Sequence, residues 1–216
     1  DKFSGFDRAE GGTRLNVGLN YKLQLDSGYY VSGLFGRSYQ LAGDNSYAIP
    51  DILGATQDSG LETSLSDYVG SLYLDTQYGV KVGAQARLDK EDFTVNRIQA
   101  QASGIYGPVV SSLAYAFLNA QPDVGIDDPR EELLGSASLR LEENWRIFGS
   151  MRYDLQNSNI VQDGLGIGYD DEGFSLSVTY AEDRSRNDGD DVNRTLYFRI
   201  GLRTIGTTQV SSGALN

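Results

Sequence analysis

Histidine and cysteine occur nowhere in the 216 residues. A Ser-His or Asp-His proton relay therefore cannot be built within this chain. Metal sites of the His or Cys type are excluded with it. Carboxylates remain, gathered in two acidic stretches, Asp123 to Glu132 and Asp183 to Asp191. Oxygen donors suit divalent cations, but the spacing does not match an EF-hand loop, and solvated loop is the reading taken. The other chemistry on offer is anion binding. Its candidates are Arg14, Lys22, Lys81, Arg87, Arg97, Arg140, Arg146, Arg152, Arg199 and Arg203. No catalytic residue, cofactor or resident metal is expected, and no enzyme activity.

These cations sit in segments with a two-residue period, which places one row of side chains on each face of a strand. Leu15, Val17, Leu19, Tyr21, Leu23 and Leu25 oppose Arg14, Asn16, Asn20, Lys22 and Gln24. Val80, Val82, Ala84, Ala86 and Leu88 oppose Lys81, Gln85, Arg87 and Asp89. Trp145, Ile147, Met151, Tyr153 and Leu155 oppose Arg146, Ser150, Arg152 and Asp154, with Phe148 a local exception on the polar row. In the closing segment, Arg194 to Gly206, Leu196, Phe198, Ile200 and Leu202 oppose Tyr197, Arg199, Gly201 and Arg203. About eleven such strands are expected, of roughly 10 to 13 residues, longer than the 5 or 6 usual in soluble sheets. Membrane strands need about 9 to 11 residues to cross.

The connections alternate in length. Short turns at residues 26–28, 77–79, 107–108, 142–144 and 170–173 interleave with longer loops, and that is the arrangement of an outer-membrane barrel. Each short turn carries an aromatic on the apolar row: Tyr29, Tyr78, Tyr106, Trp145, and Tyr169 with Phe174. Rings of this kind suit the boundary of hydrocarbon and headgroups. A mean hydropathy of -0.37 with 26 Gly and 14 Tyr fits a wall in which only alternate residues meet lipid. A net charge of -12 argues against nucleic acid. The expected fold is all-β, a transmembrane antiparallel β-barrel. An odd strand count with an external amino end implies a carboxy-terminal part of a larger barrel, since whole bacterial barrels have even counts. Residues 1–10 read as external loop and 207–216 as periplasmic tail.

The stretch FSGFDRAEGGTRLNVGLNY, Phe3 to Tyr21, resembles the LPS-assembly protein LptD family, the organic solvent tolerance proteins. Gly36-Arg37-Ser38-Tyr39 and Ser66-Asp67-Tyr68-Val69-Gly70 resemble two further family segments in the same order, and RTLYFRIGLRTIG its last strand. The resemblance implies a barrel of about 26 strands, of which these are the last eleven. It implies that lipopolysaccharide passes from a periplasmic Lpt bridge into the outer leaflet of the outer membrane. Implied partners are lipopolysaccharide, outer-membrane lipids and a plug lipoprotein, LptE; the bridge is reached through an amino-terminal domain. The closing strand, with Leu196, Phe198, Ile200 and Leu202, maps to one lip of a lateral gate. The family's neighbouring cysteines near the turn at Glu172-Gly173 have no counterpart here. From the residues alone, the inward cations line a polar path for anionic lipid heads or are the charges of any water-filled lumen, balanced by Asp89 and Asp154. A passive diffusion porin and a structural barrel stand as the alternative functions.

Overall fold

A computed structural model describes residues 11–48, 59–122, 125–185, 192–202 and 206–212, the last seven by backbone alone. Twelve strands follow one another: β1 Thr13–Gln24, β2 Tyr30–Ala42, β3 Tyr68–Asp75, β4 Val80–Leu88, β5 Val95–Tyr106, β6 Val109–Leu118, β7 Arg130–Arg140, β8 Trp145–Asp154, β9 Asn159–Asp170, β10 Phe174–Asp183, β11 Asn193–Leu202 and β12 Gly206–Ser212. They form one sheet in sequence order, and the registers of β1–β2–β3 and of β7 through β12 are antiparallel. No α-helix occurs among the described residues. The fold is all-β, as the alternation predicts.

The chain divides into two compact units. One holds residues 1–76, 82–100 and 116–130; the other holds 77–81, 101–115 and 131–216. Among the described residues no large side chain is fully buried in either. Order therefore rests on the backbone ladder and on cross-strand neighbours along each face. Tight turns join the strands where the short connections were expected. Gly28 and Gly79 take φ of 91° and 90°, a conformation that favours glycine.

Two expectations change. The eleven strands are all present, but a twelfth follows them. Strand β11 stops at Leu202 rather than Gly206, and Gly206–Ser212 turns back to pair with it, Arg199 facing Gln209 and Leu196 facing Ser212. Residues 207–212 are thus strand rather than tail. The segment GTTQVSS has polar residues on both parities and so lacks the alternation that marks the others; its β-branched Thr and Val still favour extended backbone. Among the described residues the count is twelve and even, so the odd-count part of the parity argument falls away. Residues 1–10, expected as external loop, and 213–216 lie outside the described residues.

Phe148, the exception on a polar row, is explained by its neighbour. It lies opposite Gly166 on β9, and a Cβ at Gly166 would sit 2.5 Å from its ring. The ring fills the space a side chain would take, so both glycine and phenylalanine are needed. Gly166→Ala should overpack this site and lower stability by about 1 to 3 kcal/mol. Phe148→Ala in the same chain should recover most of that loss, read as the urea midpoint of the protein in detergent.

Candidate functional site

Within each unit the candidate cations fall on the polar face. In the first unit Arg14 faces Gln40 and Lys22 faces Ser32. Direct partners in an antiparallel pair share a face, so these four belong to the polar one. Gln85 donates to Gln99 at 2.5 Å, which joins the polar rows of β4 and β5 that carry Arg87 and Arg97. Lys81, in the second unit, precedes Arg87 by six positions on the same parity of β4. Also in the second unit, Arg140 faces Arg146, Arg152 faces both Leu134 and Gln162, and Arg199 faces Ser177. Arg203 lies outside the described residues. The polar face is not uniformly polar, since Leu34, Val69, Leu134 and Tyr197 also stand on it.

The described ends of the 42–66 connection fold onto this polar face. Arg14 donates to Asn45 Oδ1 at 2.8 Å, and its guanidinium lies 4.7 Å from the centre of the Tyr47 ring. Asn45 donates in turn to the carbonyls of Leu61 and Glu62. Ser64 and Ser66 continue the ladder alongside β2, where Gln40 N donates to Ser64 O and Ser66 N donates to Ser38 O. At its root lies Asp67, buried with 7% exposure. Arg87 Nε is 3.3 Å from its carboxylate, and Asn96 donates to it at 3.0 Å.

The opposite face is apolar and open. Leu196, Phe198, Ile200 and Leu202 of β11 lie beside Tyr180, Val178, Leu176 and Phe174 of β10. Leu165 is 67% exposed and, in the first unit, Leu19 is 79%. Tyr78, Tyr106, Trp145, Tyr169 and Phe174 all stand at short-turn ends in the second unit, with Trp145 edge-on to Tyr169 at 5.1 Å and Tyr169 tilted against Phe174 at 5.4 Å. Tyr29 holds the corresponding end of β2 in the first unit. At the far end of the same face in the second unit the character changes. Glu182 faces Asp163 on one side and Arg194 on the other, and Arg184 bridges Asp163 and Glu182. The hydrogen bond to Asp163 raises the Arg184 pKa above its ordinary value, so this cation keeps its charge across the working pH range. From Phe174 to Glu182 is eight residues, roughly 27 Å along the strand. With a barrel-like tilt that is about 20 Å of height, close to a membrane band of about 25 Å.

One cation escaped the sequence reading. Arg37 lies opposite Val17, on the apolar face of the first unit. Its guanidinium rests 4.1 Å from the Tyr68 ring centre and donates to the Tyr68 hydroxyl at 2.8 Å and to Ser66 O at 2.7 Å. Phe35, Tyr68 and Phe93 stack beside it with centroids 5.5 and 4.9 Å apart. Arg37 stands eight residues after Tyr29, the same spacing that separates Phe174 from Glu182. That spacing, counted from the short-turn aromatic, was the available signal.

Among the described residues no group of three or more His, Cys, Asp or Glu could hold a metal ion. The acidic stretches lie partly outside the described residues, at 123–124 and 186–191. Asp67 should matter more than either. Asp67→Ala removes the buried carboxylate beside half-buried Arg87 and should lower stability by about 3 kcal/mol. Asp67→Asn should cost less, because an amide still accepts from Asn96; urea unfolding in detergent measures both.

The sequence has no match among curated proteins. It does match the family described as LptD, LPS transport system D, over residues 1–124 and again over 115–212. Components of that family carry lipopolysaccharide in the Gram-negative outer membrane. The stacked strands, the split between a polar and an open apolar face and this match agree, and the chain belongs to the LptD family.

Proposed function

We propose that this chain forms part of the wall of an outer-membrane β-barrel of about 26 strands, with its apolar face in lipid and its polar face toward the lumen. In that role it inserts lipopolysaccharide into the outer leaflet. The carrying observation is the family match over nearly the whole chain. The two-faced sheet supports it, because an exposed apolar face this large needs a cover. Short turns then face the periplasm and long loops the exterior. A plug lipoprotein of the LptE kind would occupy the lumen, and the Lpt bridge would deliver substrate from the periplasmic side.

Strand β11 is proposed as the gate strand, with Leu196, Phe198, Ile200 and Leu202 on the lipid side. Its outer edge pairs with β12, so the gate would open by parting those two strands. The seven described residues of β12 are fewer than the roughly 9 to 11 that a crossing needs, and its ladder with β11 has seven pairs. A cysteine pair introduced at the facing positions Tyr197 and Ser211 would bond across the two strands. Oxidation should stop lipopolysaccharide export in cells and reduction should restore it. Undiminished export in the oxidised state would remove the gate assignment.

The faces themselves have an independent test. Ile200→Arg places a charge on the lipid side at a cost of roughly 2 to 4 kcal/mol at mid-bilayer. Arg199→Ala removes one from the polar side. Heat-modifiable mobility should show the first impairing assembly clearly and the second leaving it near normal.

A further inference from the structure

Read across the strands of the second unit, the register aligns residues that lie far apart in the chain. Arg140 faces Arg146, Arg146 faces Gly168, Gly168 faces Ser177, Ser177 faces Arg199, and Arg199 faces Gln209. Six strands thus contribute one residue each to a single transverse row on the polar face. Three of the six are arginines and none is acidic.

The row is shaped as well as charged. Gly168 and Ser177 fill the two places between Arg146 and Arg199, so a low floor lies between the cations. Neighbouring strands are about 4.8 Å apart, and the two arginines are therefore rooted roughly 14 Å from each other. Arg146 leans over the floor: a Cβ at Gly168 would lie 3.1 Å from its Nε. Its guanidinium carbon is 5.2 Å from the centre of the Phe148 ring.

The charge of the facing pair at one end of the row is poorly compensated. Arg140 and Arg146 are like charges directly opposite each other, an arrangement that destabilises a sheet. Neither makes an ion pair among the described residues. The next row toward the long loops is Ser138, Phe148, Gly166, Thr179, Tyr197 and Ser211; the one beyond it is Ser136, Ser150, Gly164, Ala181 and Thr195. No carboxylate stands in either. On the short-turn side Asp170 stands two residues beyond Gly168, and toward the long loops the polar-face acids Asp183, Asp154 and Glu132 lie beyond those two rows. The facing cations Arg140 and Arg146 are retained against their own repulsion in a chain of net charge -12.

We propose that this row is a binding site for the phosphate groups of a lipid headgroup, one phosphate near Arg140 and Arg146 and a second near Arg199, across the Gly168–Ser177 floor. Planar guanidinium forks match phosphate oxygens in paired hydrogen bonds. The proposal rests on the reading of the polar face as the lumen of a lipopolysaccharide translocon. It adds to that reading a place, at the short-turn end, where the phosphorylated headgroup is first held.

The test uses the full-length protein in detergent, with lipid A carrying two phosphates and its dephosphorylated form as probes. Arg140→Gln with Arg146→Gln should weaken binding of the diphosphorylated lipid about tenfold, and Arg199→Gln should add to the loss. Binding of the dephosphorylated form should not change. Arg14→Gln, on the polar face of the other unit, should leave both unaltered. Neutralising the facing pair should also raise the urea midpoint or leave it unchanged, because a repulsion is removed; a purely structural role predicts a fall instead. Equal binding by wild type and the double variant would overturn the site. So would displacement of the lipid by about 1 mM inorganic phosphate, which would mark a general anion site. If the translocon reading fails while this site stands, depletion of the protein leaves lipopolysaccharide export unchanged but the probes still separate.

Discussion

The backbone ladder is the constraint on which everything else depends. With no large side chain fully buried among the described residues, tertiary packing of the usual kind supplies little of the order. Each strand is held by the hydrogen bonds of its neighbours. In hydrocarbon those bonds are obligatory, since an unpaired backbone group costs several kcal/mol there. Once the ladder is laid down, register decides the face of every side chain, and a slip of one residue would move each apolar side chain into water. The apolar rows of β7 to β11 remain in phase through the irregularity between Arg152 and Tyr153 of β8. Phase is thus maintained by pairing rather than by sequence pattern alone.

Most of this sheet was legible from the chain because alternation is a local signal. Leu15 to Leu23 against Arg14 to Lys22 reads directly, and strands β1 to β11 follow from such rows. Strand β12 was not legible, because Thr207, Thr208, Gln209 and Ser211 are polar on both parities. Its pairing depends on the exposed edge of β11, which no local pattern records. Arg37 was missed for a related reason. It interrupts an otherwise apolar parity, and only the stack of Phe35, Tyr68 and Phe93 explains how a cation is accommodated there. Those three rings come from β2, β3 and the loop before β5, so the accommodation exists only after folding.

The polar face shows the same limit in a more consequential form. Along the chain Arg140, Arg146 and Arg199 are three of ten similar cations on three strands. Across the sheet they occupy one row, while Arg152 belongs to another with Gln162 and Asp183. Arg152 has the Asp183 carboxylate nearby; Arg140 and Arg146 make no ion pair among the described residues. Chemical difference among equal residue types arises from strand pairing, which a reading along the sequence does not contain.

Glycine ties these observations together. Gly164, Gly166 and Gly168 form the polar row of β9, and at two of them a neighbour from β8 lies over the bare backbone, Phe148 on Gly166 and Arg146 on Gly168. A side chain at either position would push its neighbour away from β10. Without the glycines, Arg146 could not lean toward the Arg199 side of the row, and Phe148 would stand up from the polar face. Glycine inside a strand usually weakens it by loss of packing and of entropy. Here that cost is offset by contacts from β8, and the residues with the least side chain determine where the largest and most charged ones lie.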